Sequence, residues 1–210
     1  MTEKFAEVRR VLDRYMVEIV ETYDFCPWAK GARLGGEVAI DVLWGTPSVD
    51  EWTAAAERLL AQRATRVAMI VAPELAATPA ELREVRNIVS SRIAGVGVAE
   101  FHPDAALDLA TPARLVPYLR RSPDPLLQLV PLELLDRVRA YPAVVDIMEQ
   151  AQMLGGLAAP LRGDVADELA ETNHVRVKRD AAAIAAVLED IAADRRRSYP
   201  RAGIAINTSR

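Results

Sequence analysis

The chain has 210 residues, 51% of them apolar, enough to bury one sizeable core with an addition to it, or two small cores. Its formal charge of −4 argues against general binding to nucleic acid, which needs a basic face to displace counterions. A single cysteine excludes an internal disulfide and fits a reducing compartment; with no apolar leader and no run near the ~18 residues of a membrane span, the chain reads as soluble and cytoplasmic.

Aromatic residues are scarce (5%), so Ala, Leu and Val must carry most of the core. Residues 3–23 predict an amphipathic helix with Phe5, Val8, Leu12, Tyr15, Ile19 and Tyr23 on its apolar stripe. Pro27 disfavours helix at Cys26, so the helix should end near Asp24. Residues 37–44 alternate, with Val38, Ile40, Val42 and Trp44 on one face and Asp41 on the other, as in a half-buried strand. Ser48 and Glu51 form a capping box that opens a second helix, its stripe made by Trp52, Ala55, Leu59 and Leu60.

Residues 67–72 are a continuous apolar run suited to a strand buried on both faces. Thr78, Pro79 and Glu81 start another helix, with Leu82, Val85, Ile88, Val89 and Ile93 as its stripe and Gly95 as its stop. A third strand, 96–102, delivers His102 to a proline-punctuated loop over 103–125 that has room for a short helix at 112–120. Residues 126–130 read as a fourth strand. Helices at 132–140 and 143–154 follow, the second stopped by Gly155 and Gly156. In the remainder Asp180 reads as the cap of an Ala-rich helix striped by Ile184, Val187, Leu188 and Ile191, with Arg195, Arg196 and Arg197 suiting the dipole at its end.

Strands alternating with helices give an α/β fold: about four strands in a mixed sheet, with helices packed on it. The order admits a thioredoxin-like or a ferredoxin-like arrangement. Two units are expected, an α/β core over 1–156 and a helical appendage with a flexible basic tail over 157–210.

Three segments carry the chemistry: Phe25-Cys26-Pro27-Trp28-Ala29-Lys30, Phe101-His102-Pro103, and the run Tyr118-Leu119-Arg120-Arg121-Ser122-Pro123-Asp124-Pro125. As an ordered set they resemble the bacterial family catalogued as domain of unknown function 1415, over roughly residues 5–155. Arg120 stands where that family has Asn, Asp124 where it has Tyr, and Gln128 where it usually has His. The resemblance implies a site but no particular reaction.

Each candidate has a functional and a bland reading. Cys26 is a nucleophile or redox thiol if Lys30 and Arg33 stabilise its thiolate, and otherwise a small buried hydrophobe. His102, at a strand end, is a general base or a histidine satisfied by loop carbonyls. Arg120 and Arg121 with Ser122 form an anion fork, or else one arginine is exposed and the other makes a loop-stabilising ion pair to Asp104 or Asp124. Tyr118 lines the site or packs in the core. A protein metal site is not expected from two histidines and one cysteine, and His174 is expected on the surface or at a cap.

The leading expectation is therefore a site for an anionic small molecule, with catalysis left open. Cys26 and His102 would act in it, and Lys30, Tyr118, Arg121 and Ser122 would bind. A non-catalytic interaction or structural module and a thiol-redox protein are the alternatives. Cofactor and oligomeric state are not fixed by the sequence.

Overall fold

The computed structural model describes residues 2–62, 64–134 and 165–206. Helix α1 (Glu3–Arg14) is capped by Thr2 and continues as a π-helical turn over Tyr15–Glu21. The wider turn re-aims the stripe, so that Tyr15, Met16 and Ile19 are buried and Val17 faces out. Asp24 then breaks the helix in the left-handed region (φ +48°), three residues before Pro27. The short helix α2 (Ala29–Leu34) buries none of its residues.

Strand β1 (Val38–Val42) leads to α3 (Val49–Leu60), β2 (Val67–Val71), α4 (Pro79–Arg92) and β3 (Val96–Phe101). Both expected capping boxes close: Ser48 and Glu51 bond reciprocally at α3, and Thr78 and Glu81 at α4, where Pro79 takes the first helical position. Gly95, at φ +74°, makes the left-handed turn into β3. Helix α5 (Pro112–Leu119) fills the proline-rich loop before β4 (Leu126–Pro131). Residues 132–134 are helical; the rest of the helices expected over 132–140 and 143–154, and Gly155-Gly156, lie outside the described residues. Helix α6 spans Val165–Ser198.

The sheet is four-stranded and mixed, in the order β1-β2-β4-β3. β1 and β2 are parallel, and β4 runs antiparallel to both β2 and β3. A helix separates every pair of successive strands. The thioredoxin-like and ferredoxin-like orders each set two strands in direct succession, so the connectivity here differs from both.

Alternating side chains feed two cores. Ala68, Ile70, Leu127 and Leu129 pack with Trp52, Ala55, Leu82 and Val89 under α3 and α4. Val42, Val71 and Leu126 pack on the opposite face with Val8, Leu12, Tyr15, Leu115 and Tyr118. β1 serves both faces, since Ala39 joins the first core and Val42 the second; Trp44, beyond the strand, stands 40% exposed beneath Lys4. Ile88, expected in the α4 stripe, is also 40% exposed.

The expected appendage is part of the second core. Val177, Ile184, Ile191, Tyr199 and Ile204 are buried in the same cluster as α1, and full burial of such a side chain is worth about 1.5–3 kcal/mol. Asp180 does not cap: α6 runs straight through it, and it pairs with the adjacent Arg179. Among the described residues no helix is long and apolar enough to cross a membrane.

Ion pairs tie α6 to α1. Asp194 receives Arg10 Nη1 at 2.8 Å and Arg14 Nη1 at 2.7 Å, and Asp190 receives Arg14 Nη2 at 2.7 Å. These guanidinium groups hold the Asp194 carboxyl at about 2, below the usual carboxylate range, with Arg10 the main cause. A depressed folded-state pKa stabilises the fold above the unfolded value near 4, and that stabilisation is lost as pH falls toward 2; for Asp194 it is worth about 2 kcal/mol. The stability gap between wild type and Asp194→Asn, measured by urea unfolding, should be full at pH 6 and close steadily below pH 4. A gap independent of pH over that range would contradict this coupling.

Candidate functional site

His102 follows β3 directly and is 3% exposed. Its Nε2 donates to the Ala77 carbonyl at 2.7 Å, and its Nδ1 accepts the Asp104 backbone N–H at 3.1 Å. One nitrogen donates and the other accepts, so both ring nitrogens are engaged. Its backbone N–H reaches the Arg120 carbonyl at 3.1 Å. His102 therefore pins the start of the α4 segment to the loop after β3 and holds no free nitrogen for a substrate.

The anion fork does not form. Arg121 Nε donates to the Pro103 carbonyl at 2.9 Å, and no carboxylate pairs with it among the described residues. Ser122 is 2% exposed and its hydroxyl donates to the Asp124 carbonyl. Arg120 turns the other way, with Cζ 5.9 Å from the centre of the Phe101 ring. Tyr118 is 3% exposed in the second core, where burial pushes its phenol up. Lys30 stands exposed on α2.

Cys26 is partly buried in the turn between the π-helical segment and α2. Burial raises its thiol pKa, the backbone N–H groups of Trp28 and Ala29 oppose this, and Asp24 adds to the rise. Arg33, expected to help the thiolate, is paired instead with Glu21 at 2.6 Å.

The thiol turn and the proline-rich loop do meet, but through α6. Asn173 Nδ2 donates to the Phe25 carbonyl at 3.1 Å, and the next residue, His174, donates from Nε2 to the Leu109 carbonyl at 3.0 Å. Arg176 adds a bond to the Asp24 carbonyl at 2.9 Å. His174, expected at the surface, is 7% exposed and acts as this cross-link. No hydrogen bond joins Cys26 to His102 or Arg121 among the described residues. Two surface depressions of about 420 and 360 Å³ lie along α1 and α6, and none of the six candidate side chains lines either.

The sequence reading offered Asp124 as an ion-pair partner but did not see that it is the one buried carboxylate among the described residues. Asp124 is 1% exposed. Its Oδ1 accepts Arg195 Nε at 2.6 Å, and its Oδ2 accepts the Tyr199 hydroxyl at 2.5 Å. Arg195 also donates to the Pro73 carbonyl at 2.8 Å and lies 4.7 Å above the Tyr199 ring. Burial is the main cause that drives the Tyr199 phenol well above its ordinary value, and the Asp124 charge adds to it. The one local signal was an acid between two prolines, directly before the apolar strand Leu126–Pro131. Its partner arginine was read instead as a helix-end charge.

Alkylation of Cys26 by iodoacetamide, followed against pH, should show a midpoint above the ordinary thiol value near 8.5; a midpoint below 7.5 would restore the redox reading. Removing one partner of the buried pair leaves a charge uncompensated. Arg195→Leu should therefore cost about 3–5 kcal/mol in urea unfolding, and Tyr199→Phe about 1.5–3 kcal/mol for one charged hydrogen bond. A loss under 1 kcal/mol for Arg195→Leu would show that the pair contributes little.

No family model, curated protein or solved structure matches this chain.

Proposed function

We propose that this protein is a non-catalytic interaction module whose motif residues build a rigid loop and do not process a substrate. The observation that carries this reading is the state of His102. A general base needs a nitrogen facing its substrate, and here both ring nitrogens engage backbone groups. Ser122 supports it, because it is buried and its hydroxyl proton is taken by the Asp124 carbonyl within the loop. The raised Cys26 thiol counts against redox chemistry.

The exposed side chains of the thiol turn favour an interaction role. Helix α2 buries nothing; Trp28 (37% exposed) precedes it and Leu34 (68%) ends it. Aromatic residues of this kind are enriched where proteins meet. The ordered motifs support a divergent membership of the unknown-function family they resemble. The lone cysteine fits a cytoplasmic setting.

His102→Ala should leave the Ala77 carbonyl and the Asp104 N–H without partners, at a cost of about 2–4 kcal/mol for the two. In a protein of this size that lowers Tm by about 5–12 °C. A variant that melts within 1 °C of wild type would remove the framework role and reopen the catalytic one.

A further inference from the structure

Helix α1 and its π-helical continuation present two different faces. One, with Val8, Leu12 and Ile19, is buried in the second core. The other is open among the described residues. Arg9, Arg10 and Val17 are exposed there, and with Ala6 and Asp13 they line the depression of about 420 Å³. Val17 is an apolar side chain left 38% exposed within the π-helical segment. Such segments are rare and recur at functional sites.

Four positions run along this open face: Ala6, Arg10, Asp13 and Val17. They are spaced by four, three and four residues, the spacing of a coiled-coil seam, so all four can meet a second helix at once. Read in the reverse direction, the series is its own complement. An antiparallel copy of α1 sets Ala6 against Val17 and Asp13 against Arg10, each pairing made twice. A parallel copy sets acid on acid and base on base. Asp13 is available for the contact: its ion pair with Arg9 is 3.6 Å long, beyond a hydrogen bond, and the two side chains are 41% and 45% exposed. Arg10 is held in place by Glu7 at 2.7 Å and Asp194 at 2.8 Å, so little side-chain freedom remains to be lost on docking. Arg9 stands beside it, so a facing carboxylate meets two cations.

We propose that this face binds a second copy of this chain, α1 against α1 in antiparallel register about a two-fold axis. The symmetry makes the contact isologous, so the assembly closes at two copies. From Ala6 to Val17 the seam is about 17 Å long at about 1.5 Å per residue. A contact of that length with charged groups at its centre belongs to the small, transient class. The proposal goes beyond the interaction-module reading, since it uses neither the thiol turn nor the His102 loop. That reading is tested by the His102 variant, and this one by self-association.

The test is sedimentation equilibrium of the whole chain up to millimolar concentration, at low and high salt. A monomer–dimer equilibrium is expected, weaker at high salt because exposed charges are screened. Asp13→Arg, which sets a third cation against Arg9 and Arg10 of the other copy, should weaken dimerisation at least tenfold. Val17→Glu should weaken it severalfold. Both side chains lie at the surface, so both variants should keep the wild-type Tm. Register is read by disulfide trapping in a Cys26→Ser background, which also serves if either variant fails to fold. Ala6→Cys chains mixed with Val17→Cys chains should cross-link on mild oxidation, and neither should do so alone. A chain that stays monomeric at millimolar concentration, a dimer indifferent to Asp13→Arg and Val17→Glu, or cross-linking in the single variants but not in their mixture would overturn the proposal.

Discussion

A carboxylate sealed from water must be matched from every side, and Asp124 sets that requirement for the whole second face of the sheet. Its two oxygens draw in Arg195 and Tyr199 from the end of α6 and the turn beyond it, and Arg195 in turn reaches the segment after β2 through Pro73. Desolvating such a pair costs several kcal/mol per ion, so the arrangement holds only if the geometry is good and the remaining polar atoms are bonded. That need fixes the direction in which α6 leaves the core and the approach of the chain to β4. The carbonyl of the same residue takes the Ser122 hydroxyl, so the loop is tied on both its backbone and its side-chain side.

Local elements were legible because their signals are local. Ser48 with Glu51, and Thr78 with Pro79 and Glu81, specify helix starts within four residues, and both formed as written. The apolar run over 67–72 suited an interior strand, and β2 is one. The order of strands in the sheet was not legible. Insertion of β4 between β2 and β3 depends on which edges remain unpaired after two crossovers, and no side-chain pattern records that. The helix at α6 was legible but its place was not, because an Ala-rich stripe looks the same on an outlying helix as on one inserted beside α1. Its burial comes from partners far away in the chain, Val8 and Leu12 among them.

The candidate site shows where residue types stop being informative. A histidine at a strand end beside prolines has the right placement for a base and equally for a clamp between two loops. Only the destinations of its two nitrogens decide, and both are backbone groups. Arg120 and Arg121 are neighbours in the chain, yet the end of α5 turns one to Phe101 and the other to Pro103. The fork read from the sequence needs two side chains to point together, which adjacent residues at a helix end do not do.

The two faces of the sheet draw on very different stretches of chain. Among the described residues, the members of the face under α3 and α4 all precede residue 131. The opposite face waits for Val177, Ile184, Ile191 and Ile204. On the ribosome, a nascent chain of this sequence therefore holds the described members of the first face while the second still lacks those from α6, dozens of codons later. During that interval the surface is open to chaperones and to sticking between neighbouring chains. Closing it awaits the emergence of α6.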